Sequence, residues 1–265
     1  MIERHMSRLL GLKYLRKVAR AVLPKSVQYR IRSRLNPATR GNVATLRAGI
    51  HPYLAPRLES KYVEALNYLI EHGTPVPELG DYLEFGVFYG NSLISANRAV
   101  DVIGARQMRL FGFDSFEGLP REAPLEDGGH WQPGDFSMDY HVARRYMTEQ
   151  GVDWKRTTLV KGWYKDTLND ECVKMYGLRK ASIIMVDCDM YSSARTALAF
   201  CAPMIQDQAV VFFDDWFAGG LAEKNMGEKK AFDEFLADHP EFTASDFGEY
   251  GNYSKVYVVS RTPQT

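Results

Sequence analysis

The sequence predicts an α/β domain on a mostly parallel, seven-stranded, Rossmann-like sheet. An antiparallel hairpin closes the sheet at the C-terminus, and a helical extension precedes it. Three observations lead there. From about residue 80, short and nearly continuous apolar runs alternate with helix-patterned stretches, as in a parallel sheet covered on both faces. Two of these runs, Ile184-Met185-Val186-Asp187-Cys188-Asp189 and Val210-Val211-Phe212-Phe213-Asp214-Asp215, end in paired acids. The last two strand candidates flank Gly251-Asn252, a signal for a tight hairpin turn.

In chain order, residues 1–57 form the extension. Its first 40 residues hold eleven Lys or Arg against one acid, Glu3, although the whole chain balances 33 basic with 33 acidic residues. Leu9, Leu10, Leu12, Leu15, Val18, Ala19 and Val22 recur at helical spacing with basic residues between them. Such a helix packs on the protein body or on a second copy in a homo-oligomer, lies on an anionic membrane surface through residues 1–40, or serves as a targeting peptide. A helix over Ser60–Glu71 follows, stopped at Gly73. Strands are expected at Asp81–Val87, Arg109–Asp114, Thr157–Val160, Ser182–Asp187 and Ala209–Asp214. Helices are expected at Ser92–Val100, Tyr140–Gln150, Asn169–Tyr176, Ser193–Met204 and Glu223–Ala237. The hairpin strands are Phe242–Tyr250 and Ser254–Ser260. Residues 119–140, rich in Pro and Gly, read either as a substrate lid over the sheet edge or as surface disorder.

The zero net charge gives no global field for nucleic acid. No apolar run reaches the roughly 18 residues of a membrane-spanning helix. Three cysteines without pairing or metal-ligand spacing suggest a reducing compartment, hence the cytoplasm or the inner face of a membrane.

The tetrad Asp187, Asp189, Asp214 and Asp215 carries the chemistry. Parallel strands ending in acids bring carboxylates to the C-terminal edge of the sheet, where open α/β sheets bind ligands. Crowded carboxylates call for a cation, most economically a hard divalent ion such as Mg2+. The first strand runs into Glu84-Phe85-Gly86-Val87-Phe88-Tyr89-Gly90-Asn91-Ser92. This glycine turn lacks the third Gly of a dinucleotide fingerprint and the Lys of a phosphate loop. Glu84 would repel phosphates and suit an ammonium group. Asp114, ending the next strand, suits ribose hydroxyls. In sequence order, these features favour an adenosyl cofactor.

These segments resemble the macrocin O-methyltransferase family: Tyr82–Val87 with Gly90 and Ser92, Phe113–Pro120, Lys161–Leu168, Asp187–Ser193, and Asp214-Asp215. The resemblance covers about residues 58–260. It implies a class I methyltransferase domain over residues 58–265 that uses S-adenosylmethionine and Mg2+. Metal ligands would fall on Asp187, Asp214 and Asp215, with Asp187 also the general base. The cofactor would lie on Glu84, Gly86, Gly90, Ser92, Asp114, Ser115, Gly162 and Trp163. His141 and His130, near the lid, are further candidates for proton transfer. Cys188 and Ser192-Ser193 depart from the family pattern, so the acceptor is the least determined part. A hydroxyl of a sugar on a secondary metabolite or glycan is expected. A catechol acceptor, or a metal-dependent hydrolase or phosphatase on the same carboxylates, is the alternative. Trp131, Trp163, Tyr164, Trp216 and Phe217 follow strand ends and either stack on the acceptor or bury the core edge. Lys224, Glu228, Lys229 and Lys230 read as a solvated helix face.

Overall fold

The computed structural model describes residues 57–262. The basic helix expected in residues 1–40 lies outside them.

The strands are β1 (Asp81–Phe85), β2 (Leu110–Asp114), β3 (Thr157–Lys161), β4 (Ala181–Val186), β5 (Gln208–Phe213), β6 (Phe242–Gly248) and β7 (Lys255–Arg261). The helices are α1 (Leu58–Glu71), α2 (Asn91–Ile103), α3 (Tyr140–Glu149), α4 (Tyr164–Thr167), α5 (Asp170–Tyr176), α6 (Tyr191–Cys201) and α7 (Gly227–Asp238). The sheet order is β3-β2-β1-β4-β5-β7-β6, with β7 alone running antiparallel to its neighbours β5 and β6. The expected α/β class, seven-stranded mostly parallel sheet and C-terminal antiparallel hairpin are thus present. The four-residue α4 was not anticipated, because one turn is too short to show a period.

Strand periodicity divides the core. Tyr82, Ile183, Met185, Val210 and Phe212 face α1 and α2, where Tyr62, Leu66, Leu69 and Leu93 are buried. The intervening residues Leu83, Phe85, Ile184, Val186, Val211 and Phe213 face α6 and α7, against Leu198, Phe232 and Phe235. Because both faces are covered, the strands read as unbroken apolar runs rather than alternating ones.

Strand order reverses between β1 and β4, the switch point at which such sheets place ligands. Register fixes what stands there. Phe85 pairs with Val186, and Val186 with Phe213. One residue further on, Asp187 N–H donates to Phe85 O at 2.9 Å and Asp214 N–H to Val186 O at 3.1 Å. The two acids therefore stand side by side.

Two expectations need correction. The hairpin is not closed by a two-residue turn at Gly251-Asn252. β6 ends at Gly248, β7 begins at Lys255, and Ser254 Oγ accepts the N–H groups of Tyr250 (2.9 Å) and Gly251 (2.8 Å). The longer loop lets Tyr250 turn into the core, where its hydroxyl donates to Asp214 Oδ1 at 2.6 Å. Residues 119–137 are not surface disorder. Leu119 N–H donates to Asp135 O (2.9 Å) and Gly134 N–H to Leu119 O (2.8 Å), closing the base of the loop. Ala123 and Trp131 then pack with Met190, Ala218 and Leu221 in a small core of their own.

Phe212 is fully buried, with its ring 4.7 Å from Tyr62 and 5.8 Å from Tyr250. Phe212→Ala should cost about 3–5 kcal/mol in urea unfolding, the usual range for an emptied aromatic site. A loss below about 1 kcal/mol would contradict this packing.

Candidate active site

A cavity of about 1820 Å³ opens at the switch point. Its floor is the acid row. Asp187, Asp214 and Asp215 each offer a carboxylate oxygen, and these atoms lie within 4.8 Å of one another. Desolvation raises the Asp187 pKa well above the carboxylate range, with Asp214 and Asp215 adding repulsion. Desolvation and the Asp214 charge push Asp215 up to about 7. Asp214 is raised by desolvation and opposed by the Tyr250 hydrogen bond. Asp189, at φ +63°, hydrogen-bonds to Asp215 and is also raised, first by burial. Without a cation the cluster retains protons, and a divalent ion would replace them. An all-carboxylate oxygen set suits a hard ion such as Mg2+.

The other wall is the β1–α2 turn. Gly86 holds φ +93°, and a Cβ there would lie 1.6 Å from Asp187 O. A Cβ at Gly90, the N-cap of α2, would lie 2.2 Å from Met147 Sδ. Gly86 is thus required by the close approach of the Asp187 backbone, and Gly90 chiefly by its left-handed φ of +83°. Asp114 fastens the turn: Oδ2 accepts Val87 N–H (2.7 Å) and Phe88 N–H (2.9 Å), and Oδ1 accepts Phe116 N–H (2.6 Å). A carboxylate offers about four acceptor positions, so one remains rather than the pair expected for two ribose hydroxyls.

Of the sequence candidates, Gly86, Ser92, Asp114, Ser115, Gly162, Trp163, Asp187, Asp214 and Asp215 line the cavity. Glu84, Gly90 and His141 do not. Glu84 is 0% exposed beneath the turn, taking a hydrogen bond from Ser92 Oγ at 2.7 Å and another from the Tyr82 hydroxyl. It therefore supports the turn from below. His141 is exposed on α3, where its backbone N–H is capped by Asp139 at 2.9 Å.

His130 lines the cavity instead, against Trp131 and Gly219, with its pKa lowered by burial. Trp131, Trp163 and Tyr164 also line it, whereas Trp216 is buried in the core. Lys224 lines the cavity too.

Sequence reasoning missed three residues. Tyr250 holds Asp214, and Tyr253 stands 59% exposed at the rim. Glu228, expected on a solvated face, is 1% exposed and accepts Asp215 N–H at 3.0 Å. Its neighbours Lys229 and Lys230 do pair along the outer face of α7, with Asp233 and Glu234.

Residues 57–239 match the model of the macrocin-O-methyltransferase (TylF) family. The chain belongs to this family. Over 166 residues it is 26% identical to the 8-demethyl-8-(2,3-dimethoxy-alpha-L-rhamnosyl)-tetracenomycin-C 4'-O-methyltransferase of Streptomyces olivaceus, covering 59% of this chain and 60% of that enzyme. Over 169 residues it is 22% identical to the mycinamicin III 3''-O-methyltransferase of Micromonospora griseorubida, covering 59% and 63%. It thus spans under two thirds of the curated relatives it matches. In fold it is similar to the O-methyltransferase NovP, with a TM-score of 0.62 at 20% identity over 78% of this chain and 80% of NovP. Membership in the macrocin-O-methyltransferase family leaves the hydrolase alternative without support. Among the described residues no helix is long and apolar enough to cross a membrane.

Glu84 yields a pH test. Burial raises its pKa from 4.5 to about 8. Between those values the folded state keeps a proton that the unfolded chain has released. This contribution to stability is full below about pH 4.5 and is lost as pH rises through about 8. Glu84→Gln keeps the shape without the charge. The ligand-free wild type should therefore lose melting temperature between pH 5 and 8.5 more steeply than Glu84→Gln. Parallel curves would show that Glu84 does not titrate in this range.

Proposed function

We propose that this chain is an S-adenosylmethionine-dependent, divalent-metal-assisted O-methyltransferase acting on a sugar hydroxyl of a glycosylated acceptor. One observation carries the reading: carboxylates from the ends of β4 and β5 converge within 4.8 Å in a cavity walled on its other side by the β1–α2 turn. Family membership supports methyl transfer. The Streptomyces relative, whose name includes a rhamnosyl group, supports a sugar acceptor. The cavity, at about 1820 Å³, exceeds the roughly 300–1,000 Å³ that one drug-sized ligand fills, leaving room for a cofactor and an acceptor together.

When bound, S-adenosylmethionine supplies a methyl group on positive sulfur, and the metal ion supplies a Lewis acid for neighbouring hydroxyls. In this reading Gly86, Ser92, Asp114, Ser115, Gly162 and Trp163 hold the cofactor. Asp114 would take a ribose hydroxyl, and Trp163 would lie against the adenine. Asp187, Asp214 and Asp215 hold the metal. Asp187 would take the proton of the attacked hydroxyl on its carboxylate. Tyr250 holds the Asp214 carboxylate, and Glu228 holds the Asp215 backbone. Trp131, His130, Lys224 and Tyr253 line the same cavity and would form its acceptor end. The enzyme's main contribution is alignment of the two reactants. The catalytic domain is residues 58–265, with residues 1–57 as an extension whose place is the membrane surface, the protein body or a second copy. The cytoplasm suits the sparse cysteines, all three of which are free.

With S-adenosylmethionine and Mg2+, a panel of 6-deoxyhexosides, other glycosides and catechols should show a one-methylene mass gain on a glycoside. Transfer to catechols alone would overturn the sugar assignment. Chelation by EDTA should abolish turnover while calorimetry still detects S-adenosylhomocysteine binding. Asp215→Asn should lower kcat by at least about 100-fold, since a Lewis acid contributes several kcal/mol. Full activity in excess EDTA would exclude the metal.

A further inference from the structure

We propose that Asp127 is a positioning residue: by bridging the N-termini of α6 and α7 it sets the separation of the two acid-bearing loops, and with it the affinity of the Asp187, Asp214 and Asp215 cluster for a divalent ion. This rests on the metal reading above.

Asp127 belongs to the 119–137 loop and is 7% exposed. Its two oxygens accept from two different helices. Oδ2 takes Tyr191 N–H at 3.0 Å, and Oδ1 takes Gly227 N–H at 2.8 Å. Tyr191 opens α6 directly after the Asp187–Met190 run, and Gly227 opens α7 after the loop that begins at Asp214-Asp215. Helix N-termini carry unpaired N–H groups and the positive end of the dipole, so an ionised acid there makes charge-assisted bonds to both.

The connection continues on each side. Next to Gly227, Glu228 accepts Asp215 N–H at 3.0 Å. Next to Asp127, Glu126 Oε2 accepts Ser192 N–H at 3.0 Å, touching α6 alone. Asp127 holds φ +50°, a conformation L residues rarely adopt, so its surroundings hold it in place. Both of its oxygens are engaged, and the oxygens that converge belong to the other three acids. Its effect on a metal therefore passes through backbone, as outer-shell groups act on ligands they orient.

The test is Mn2+ binding followed by calorimetry on the full chain, with S-adenosylhomocysteine binding and melting temperature measured in parallel. Asp127→Asn is nearly isosteric but turns one acceptor into a donor facing a backbone N–H. Its Mn2+ Kd should rise about 10-fold or more, the range for outer-shell substitutions, while S-adenosylhomocysteine affinity stays within about twofold. Asp139→Asn makes the same exchange at the cap of α3, where Asp139 Oδ1 accepts His141 N–H (2.9 Å) and Val142 N–H (3.0 Å). It should lower melting temperature and leave the Mn2+ Kd unchanged. In the wild type, Mn2+ should slow hydrogen exchange at the Tyr191 and Gly227 amides, by reciprocity of coupled sites. A wild-type Mn2+ Kd in Asp127→Asn, or exchange at both amides unaffected by Mn2+, overturns the proposal alone. No Mn2+ binding by the wild type overturns the metal reading and the proposal with it.

Discussion

Three carboxylate oxygens within 4.8 Å of one another, on aspartates set into a cavity wall, repel at short range where water screens poorly. Left alone, side chains with two rotatable bonds would swing apart into solvent. Here they cannot. Asp187 and Asp214 leave the sheet from paired positions, their backbones fixed by the Phe85–Val186–Phe213 row. Tyr250 ties down Asp214 from behind, and Glu228 ties down the Asp215 backbone. The fold uses its most rigid part, the central strands, to hold charges in an arrangement that only a proton or a cation relieves.

The same constraint orders the surroundings. Phe88, Asp127, Phe136 and Asp189 line the cavity with left-handed φ although none is glycine. Such strain persists only where neighbouring contacts over-determine the backbone, and it gathers at sites that place groups for chemistry. Asp114 illustrates how placement is achieved. By taking three backbone N–H groups it locks the β1–α2 turn to the end of β2, so two loops from neighbouring strands behave as one wall.

What the sequence made legible follows from range. The central strands were readable because burial on both faces leaves unbroken apolar runs, and the acids marked their ends to within a residue or two. The acid cluster was readable because adjacent parallel strands bring their C-terminal ends together. Glu228 was not: it sits in a Glu-Lys-Lys run whose composition says solvent, and only the helix direction turns it toward Asp215. Tyr250 was hidden by a Gly-Asn pair that imitates a tight turn. The burial of Glu84 beneath the turn was not legible, because sequence shows that an acid ends a strand but not on which side of the turn it faces. His141 and His130 were indistinguishable by type, and the cap at Asp139 against the packing of Trp131 separates them.

The cavity's two ends are held by different means. At the cofactor end, strand register, the Asp114 bonds and close glycine packing leave little freedom. A change there disturbs the β1–β4 junction and the core beneath it. At the acceptor end, the 119–137 loop contributes a small core of a few apolar side chains and fastens itself by side-chain bonds to helix ends. Segments with few buried apolar contacts open at lower free energy than central strands. The loop is therefore the least deeply anchored part of the cavity wall, and its bonds from Asp127 and Glu126 to α6 and α7 are what tie it to the acid-bearing loops. Substitutions at Trp131, His130 or Tyr253 alter the shape of that end without touching the strand ends.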